Sequence, residues 1–169
     1  MHLLKKNTLL TTLPTLTKEW RVSFEFMATS YTNTLAQVLQ LTIGGKSGNI
    51  GDRTPALWIH KTKGVYVVTT LNGNANVGKY IRKKKPPLRK WTAVEIIQAK
   101  KGSKYMFSLM IKGSTIWSVE NKDPQQFSDV QVFASSPWNV AQAGSIRRFK
   151  IENMMPGTSI QTSTCQNIV

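Results

Sequence analysis

The chain has 169 residues, 40% of them hydrophobic, which suits one domain whose core needs no disulfide or metal staple. Lys plus Arg total 23 against 8 Asp plus Glu, a formal net charge of +15 and a pI of about 10.2. The hydrophobic share excludes a disordered polymer, and the charge balance argues against sites built from many carboxylates. It favours anionic partners: nucleic acid, sulfated glycans or lipid headgroups.

The first ten residues (MHLLKKNTLL) hold apolar stretches only two or three residues long. A secretory core needs roughly 7–15, so no signal peptide is visible in this chain. No run approaches the ~18 apolar residues of a membrane helix. The first dozen and last dozen residues read as loosely held tails. Residues 1–16 are an N-terminal tail or first edge strand, 17–153 a β-sandwich and 154–169 a polar C-terminal tail.

Residues 20–26 (WRVSFEF) alternate apolar and polar, the period of a half-buried strand. Strands follow at 38–43, 56–60, 65–71, 91–98, 105–111, 115–120, 130–134 and 145–151, rich in β-branched and aromatic residues. Gly and Asn clusters at 44–53, 72–76 and 112–114 supply turns. Residues 35–39 offer one helical turn at most; no window holds a helical pattern for ten residues. Eight or nine short strands at this spacing predict an all-β antiparallel sandwich or barrel.

Three segments carry a family resemblance. Residues 88–96 (LRKWTAVEI) resemble an L-x-x-W-x-x-V-x-I strand. Residues 110–116 (MIKGSTI) resemble an I-N-G-x-x-V hairpin. Residues 130–138 (VQVFASSPW) with 144–151 (GSIRRFKI) resemble a closing V-x-V-Y-A-S-D-P-W…G-x-I-R-N-L-x-I pattern. Together they resemble the laminin-G / concanavalin A-like jelly-roll domain, most nearly the secreted or matrix modules of marine invertebrates such as cnidarians. The resemblance spans about four fifths of the chain. It implies a jelly-roll sandwich, an extracellular setting and binding of glycans, matrix proteins or calcium, without catalysis. In that pattern Trp91 is an apolar anchor between the sheets. Ser136 replaces the pattern's Asp and Arg148 its Asn, both changes toward positive charge.

Fold does not carry function, so candidate sites rest on residues. The basic segment 79–90 holds Lys79, Arg82, Lys83, Lys84, Lys85, Arg89 and Lys90 with no acid among them. Pro86 and Pro87 stiffen it. Lys100, Lys101, Lys104 and Lys112 are expected to extend it into one electropositive strip on the same end of the sandwich. The alternative is a solvated loop that keeps the protein soluble.

A glycan loop is a second candidate. Asn72, Asn74 and Asn76 offer amides beside Tyr80, and Trp138 is either a stacking residue or a plug. Simple turn chemistry is the expected role of the asparagines. Asp52 is the metal candidate; calcium wants six to eight oxygens, so an ion pair with Arg53 is the expected role and no cofactor is predicted.

Cys165 is the only cysteine, so it is a free thiol or pairs with another chain. Glu19 and Glu95 form no evident carboxylate pair, and neither His2 nor His60 has an acidic neighbour in sequence, so no enzyme is predicted. The expected partner is an acidic or sulfated glycan or an acidic protein. Nucleic acid, through charge alone, and a structural assembly role are the alternatives.

Overall fold

The computed structural model describes residues 1–82 and 84–154, and the backbone of 166–168. Lys83, most of the C-terminal tail and Cys165 lie outside the described residues.

Two antiparallel sheets pack face to face. The first sheet takes β1 (His2–Leu3), β12 (Gly144–Asn153), β3 (Trp20–Ala28), β8 (Thr92–Lys101), β9 (Lys104–Ile111) and β10 (Ser114–Glu120) in that order, with β13 (Gln166–Ile168) also on β12. The second sheet takes β2 (Thr8–Leu16), β11 (Phe127–Ala134), β4 (Ala36–Thr42), β5 (Ala56–His60), β6 (Gly64–Leu71) and β7 (Asn74–Ile81). No helix occurs among the described residues, so none is long and apolar enough to cross a membrane. Of the two readings of residues 1–16, residues 8–16 take the edge strand, and residues 35–39 enter β4 instead of turning.

The alternation of β3 sets the core. Trp20, Val22, Phe24 and Phe26 point between the sheets, and Arg21, Ser23 and Glu25 point out. Phe24 stacks on Phe149 at 6.1 Å, and Trp20 meets Phe107 edge-on at 6.2 Å. Trp91 does not join this core. It is half-buried at the mouth of β8, with the Arg147 guanidinium 4.2 Å from its ring centre. The core anchor is Trp20, because Thr92 and Val94 carry the buried face of β8 and Trp91 precedes the strand.

Two family departures have local consequences. Ser136 is fully buried and its Oγ accepts the N–H groups of Trp138 and Asn139, a turn-closing role that an Asp also fills. Arg148 sits at φ 52°, a conformation that Asn tolerates better; it bonds Glu25 instead.

Every residue of β4 and β5 is buried, so the second sheet is covered on its outer side as well. Gln37 and Gln40 face that side. Gln37 Nε2 donates to Gln40 Oε1 at 2.7 Å, and Gln40 Nε2 donates to the Asp52 carbonyl at 2.9 Å. Asn139 Nδ2 donates to Gln37 Oε1 at 2.7 Å. The loops 43–55 and 135–143 are thus tied over the strands by amides. Asp52 is 2% exposed, and its carboxylate accepts the N–H groups of Gly48 and Asn49 at 2.7 and 2.8 Å. It closes its own loop, and its charge also acts on the Arg53 guanidinium, whose pKa is lowered on balance by burial.

Strand directions define two ends. Where β3 finishes and β8 begins, the loops 29–35, 61–63, 82–91, 112–113 and 135–143 gather. The turns 17–19, 43–55, 72–73, 102–103 and 121–126 gather at the opposite end.

Candidate functional site

The basic segment crosses from the edge of one sheet to the middle of the other, so the chain must bridge the open side of the sandwich. Lys79 is on β7, and the free connector begins after Ile81. Contacts along its length hold it. Leu88 bridges Ala28, and the Arg89 N–H donates to the Ala28 carbonyl at 2.7 Å. The Tyr31 hydroxyl donates to the Pro86 carbonyl. Lys85 Nζ donates to the Lys61 carbonyl at 2.7 Å and lies 5.0 Å from the Tyr31 ring centre. Pro86 is buried, and Arg82, Lys84, Arg89 and Lys90 are exposed. The connector is therefore a seated strap whose described cations Arg82, Lys84, Arg89 and Lys90 face solvent.

Burial pushes the Tyr31 phenol up to about 12 from an ordinary 10.0. Below pH 10 the phenol is neutral folded or unfolded. Between pH 10 and about 12 the unfolded chain loses this proton while the folded chain keeps it, so stability falls as pH rises through that window. Tyr31→Phe is expected to flatten this part of the stability–pH curve. Identical curves for parent and variant, measured by chemical denaturation, would refute it.

The expected single cationic strip is split. β8 is ten residues long, about 30 Å at ~3.3 Å per residue. Lys100, Lys101 and Lys104 turn at its far end, where Lys104 pairs with Glu120 at 3.0 Å. Lys112 stays with the connector, because the β9–β10 hairpin turns at that end; Lys112 and Gly113 both take the positive φ of a tight hairpin turn, 51° and 74°.

The asparagine loop is split as well. Asn72 and Gly73 form a tight turn, and Asn74 opens β7. Tyr80 is six residues up that strand, about 20 Å from Asn74. Asn72 holds the far end together: its N–H donates to Asn121 Oδ1, and its Oδ1 accepts the Lys122 N–H. Asn76 is also committed, accepting from Arg53 and donating to the Ser47 carbonyl. Only Tyr80 reaches the connector end. Trp138 is half-buried in the 135–143 loop at that same end.

A feature that sequence reasoning missed crosses the outer face of the second sheet. Ladder register places Trp58 opposite Tyr66 and Tyr66 opposite Tyr80. Trp58 and Tyr66 are tilted at 5.6 Å, and Tyr66 and Tyr80 stack at 4.2 Å. The Arg53 guanidinium lies 5.0 Å from the Trp58 ring, and Lys63 Nζ lies 5.7 Å from the Tyr80 ring. Trp58 is buried, Tyr66 half-buried and Tyr80 36% exposed, so the row emerges into solvent beside the connector. Gly78 makes room for it, since a Cβ there would collide with the Tyr66 hydroxyl. The signal was available in the alternation of 56–60 and 64–71, had the register of the hairpin between them been known.

Charge is distributed unequally between the ends. Residues 29–35, 61–63, 82–91, 112–113 and 135–143 contain no Asp or Glu, and they carry Lys61, Lys63, Lys112 and the connector cations. The opposite turns mix Lys and Arg with Glu19, Asp52 and Asp123. Along the strands, carboxylates take cations out of play: Glu25 binds Arg147 and Arg148, and Glu95 binds Arg21. The Arg147 hydrogen bond is the main cause that holds the Glu25 carboxyl below its usual range, with Arg148 adding to it. No cluster of three metal-ligating side chains occurs among the described residues.

No protein-family model matches this sequence, and no curated protein does. Solved structures match in fold. A native heptameric SAP-like pentraxin from Limulus polyphemus superposes with a TM-score of 0.60, at 14% identity over 90% of this chain and 74% of its own. A doubly substituted human galectin-16 gives 0.57, at 14% identity over 91% of this chain and 100% of its own. The CBM40 of a Ruminococcus gnavus IT-sialidase, bound to α2,3-sialyllactose, gives 0.54, at 14% over 75% and 69%. The chain has the concanavalin A-like jelly-roll sandwich. An alginate lyase, AlyC3, shares it at 0.53, with 13% identity over 87% and 67%, so this fold serves catalysis as well as binding.

Proposed function

We propose that this chain is a non-catalytic, lectin-like module that binds acidic glycans at its connector end. The observation that carries this reading is the acid-free, lysine-rich end of the sandwich, with Tyr80 opening beside it. A pyranose ring stacks its C–H face on an aromatic ring, and its sulfate or carboxylate meets lysine point charges. Tyr66 braces Tyr80 from behind, so the platform is rigid before binding. Lys63 and the connector cations supply the charge. The superposed pentraxin, galectin and sialyllactose-bound CBM40 support a sugar-binding role at the level of fold.

Non-catalysis is part of the same reading, and most of the eight acids are already engaged. Glu25, Glu95, Glu120 and Glu152 each bind a cation, and Asp52 binds backbone N–H groups. The laminin-G-like kinship and extracellular setting belong to the same reading and rest on the sequence resemblance alone. This reading assigns no role to calcium; the Asp52 carboxylate accepts two N–H groups of its own loop.

The test compares heparin oligosaccharide with single-stranded DNA of equal charge, for the parent and Tyr80→Ala. The glycan should bind more tightly than DNA, and Tyr80→Ala should weaken it about tenfold, roughly one aromatic contact. Equal affinity for both polymers, unchanged by Tyr80→Ala, would reduce the activity to nonspecific charge.

A further inference from the structure

A groove of about 240 Å³ lies between the connector and the β9–β10 hairpin. Its lining differs in kind from the Tyr80 surface. Ile111, Ile116, Pro86 and Pro87 form an aliphatic floor and wall, and Lys84, Lys85 and Lys112 stand on the rim with Ser114. No acid lines it, and none occurs in the loops of this end.

The walls are held before any ligand arrives. Pro86 is buried under the Tyr31 hydroxyl, and Lys85 is fixed by the Lys61 carbonyl and the Tyr31 ring. Ile111 is paired in the ladder with Val94 and Ser114. A preformed wall spends little conformational entropy on binding.

The lining defines the ligand by chemistry. An aliphatic floor takes an apolar body, and three ammonium groups take an anion attached to it. A benzene ring is held by an engineered apolar cavity of about 150 Å³, so this groove accommodates one ring with its charged substituent. A sugar fits poorly, because no aromatic platform and no side-chain amide is in the lining.

We propose that the groove binds an aromatic ring bearing a sulfate or phosphate ester, the chemistry presented by a sulfated or phosphorylated tyrosine on a partner peptide. This site is separate from the Tyr80 glycan surface, although both lie at the connector end. Ring burial on the isoleucines and prolines supplies the apolar contact. The ester oxygens accept from Lys84, Lys85 and Lys112 as point-charge donors.

The experiment titrates the full chain with phenyl sulfate, phenyl phosphate, inorganic sulfate, phenol and glucose 6-sulfate, followed by NMR shifts or calorimetry. One of the two phenyl esters should bind at least tenfold more tightly than inorganic sulfate, phenol and glucose 6-sulfate. Which ester binds better identifies the modification. Ser114→Phe, at an exposed position on the rim, should fill the groove and abolish phenyl ester binding while heparin retention stays at the parent level. Lys112→Ala should weaken the ester several-fold. Inorganic sulfate equal to the phenyl esters, a preference for glucose 6-sulfate, or full ester binding by a folded Ser114→Phe variant overturns the proposal. Tyr80→Ala separates the two sites: it should impair heparin binding and leave the phenyl ester unaffected.

Discussion

Alanine at Lys84 and Lys85 is expected to lower the salt at which the chain leaves a heparin column far more than alanine at Lys100 and Lys101. The two variants remove the same charge, so net charge cannot distinguish them. Position does. Lys84 and Lys85 stand on the acid-free end, whereas Lys100 and Lys101 turn about 30 Å away, beside the Lys104–Glu120 pair. At physiological salt the screening length is about 8 Å, so neither end feels the other. Polyanion binding is driven by counterion release, and each lost contact lowers the log–log salt slope by about one. The connector variant should lose about two in slope and roughly tenfold or more in affinity. The far-end variant should stay within twofold of the parent. Equal losses would mean that the chain binds through overall charge, and the reading of a site at the connector end would fail.

Phe107→Ala is expected to cost about 3–5 kcal/mol of stability, the usual range for removing a buried aromatic ring. Phe107 is fully buried and forms the middle of a three-ring row, 6.2 Å from Trp20 and 5.4 Å from Trp117. Both neighbours belong to other strands, so neither can follow the retreating side chain without leaving its ladder. The cavity stays open, and the lost ring contacts are not replaced. For a domain of this size the melting temperature should drop by roughly 10 °C or more. Met106→Ala is the control. Met106 is the next residue on β9 but faces outward and is partly exposed, so its loss should be much smaller. Comparable losses from both would show that the alternation of β9 is not what orders the core.

Much of the fold was legible because a half-buried strand writes its two faces into the chain. Residues 20–26 alternate in the sequence and alternate in the sandwich. β2 was harder to read, since its sequence (TLLTTLPTL) holds small hydroxyl residues and a proline and only Leu13 and Leu16 are buried. β7 was hidden inside what looked like turn chemistry: Asn74, Asn76 and Gly78 are weak strand formers, yet they lie in a strand that pairs with β6, where Gly78 leaves room for the Tyr66 side chain. Trp91 misled in the other direction. Its pattern position suggests an anchor, but an odd-numbered offset from Thr92 and Val94 turns it away from the core toward Arg147.

Charge and chemistry types were available from the sequence: a strongly basic chain, a connector crowded with cations, an aromatic at residue 80, and few carboxylates. Those are properties of composition and spacing, which need no partner strand. What only the tertiary structure decided is which groups meet. Antiparallel strands return the chain to the same end every second turn, so Lys112 joins the connector while Lys100, Lys101 and Lys104 leave it. The same geometry carries Asn72 away from Tyr80, and ladder register stacks Trp58, Tyr66 and Tyr80 in one row. The acid-free end arises because five separate loops, each ordinary alone, are folded side by side.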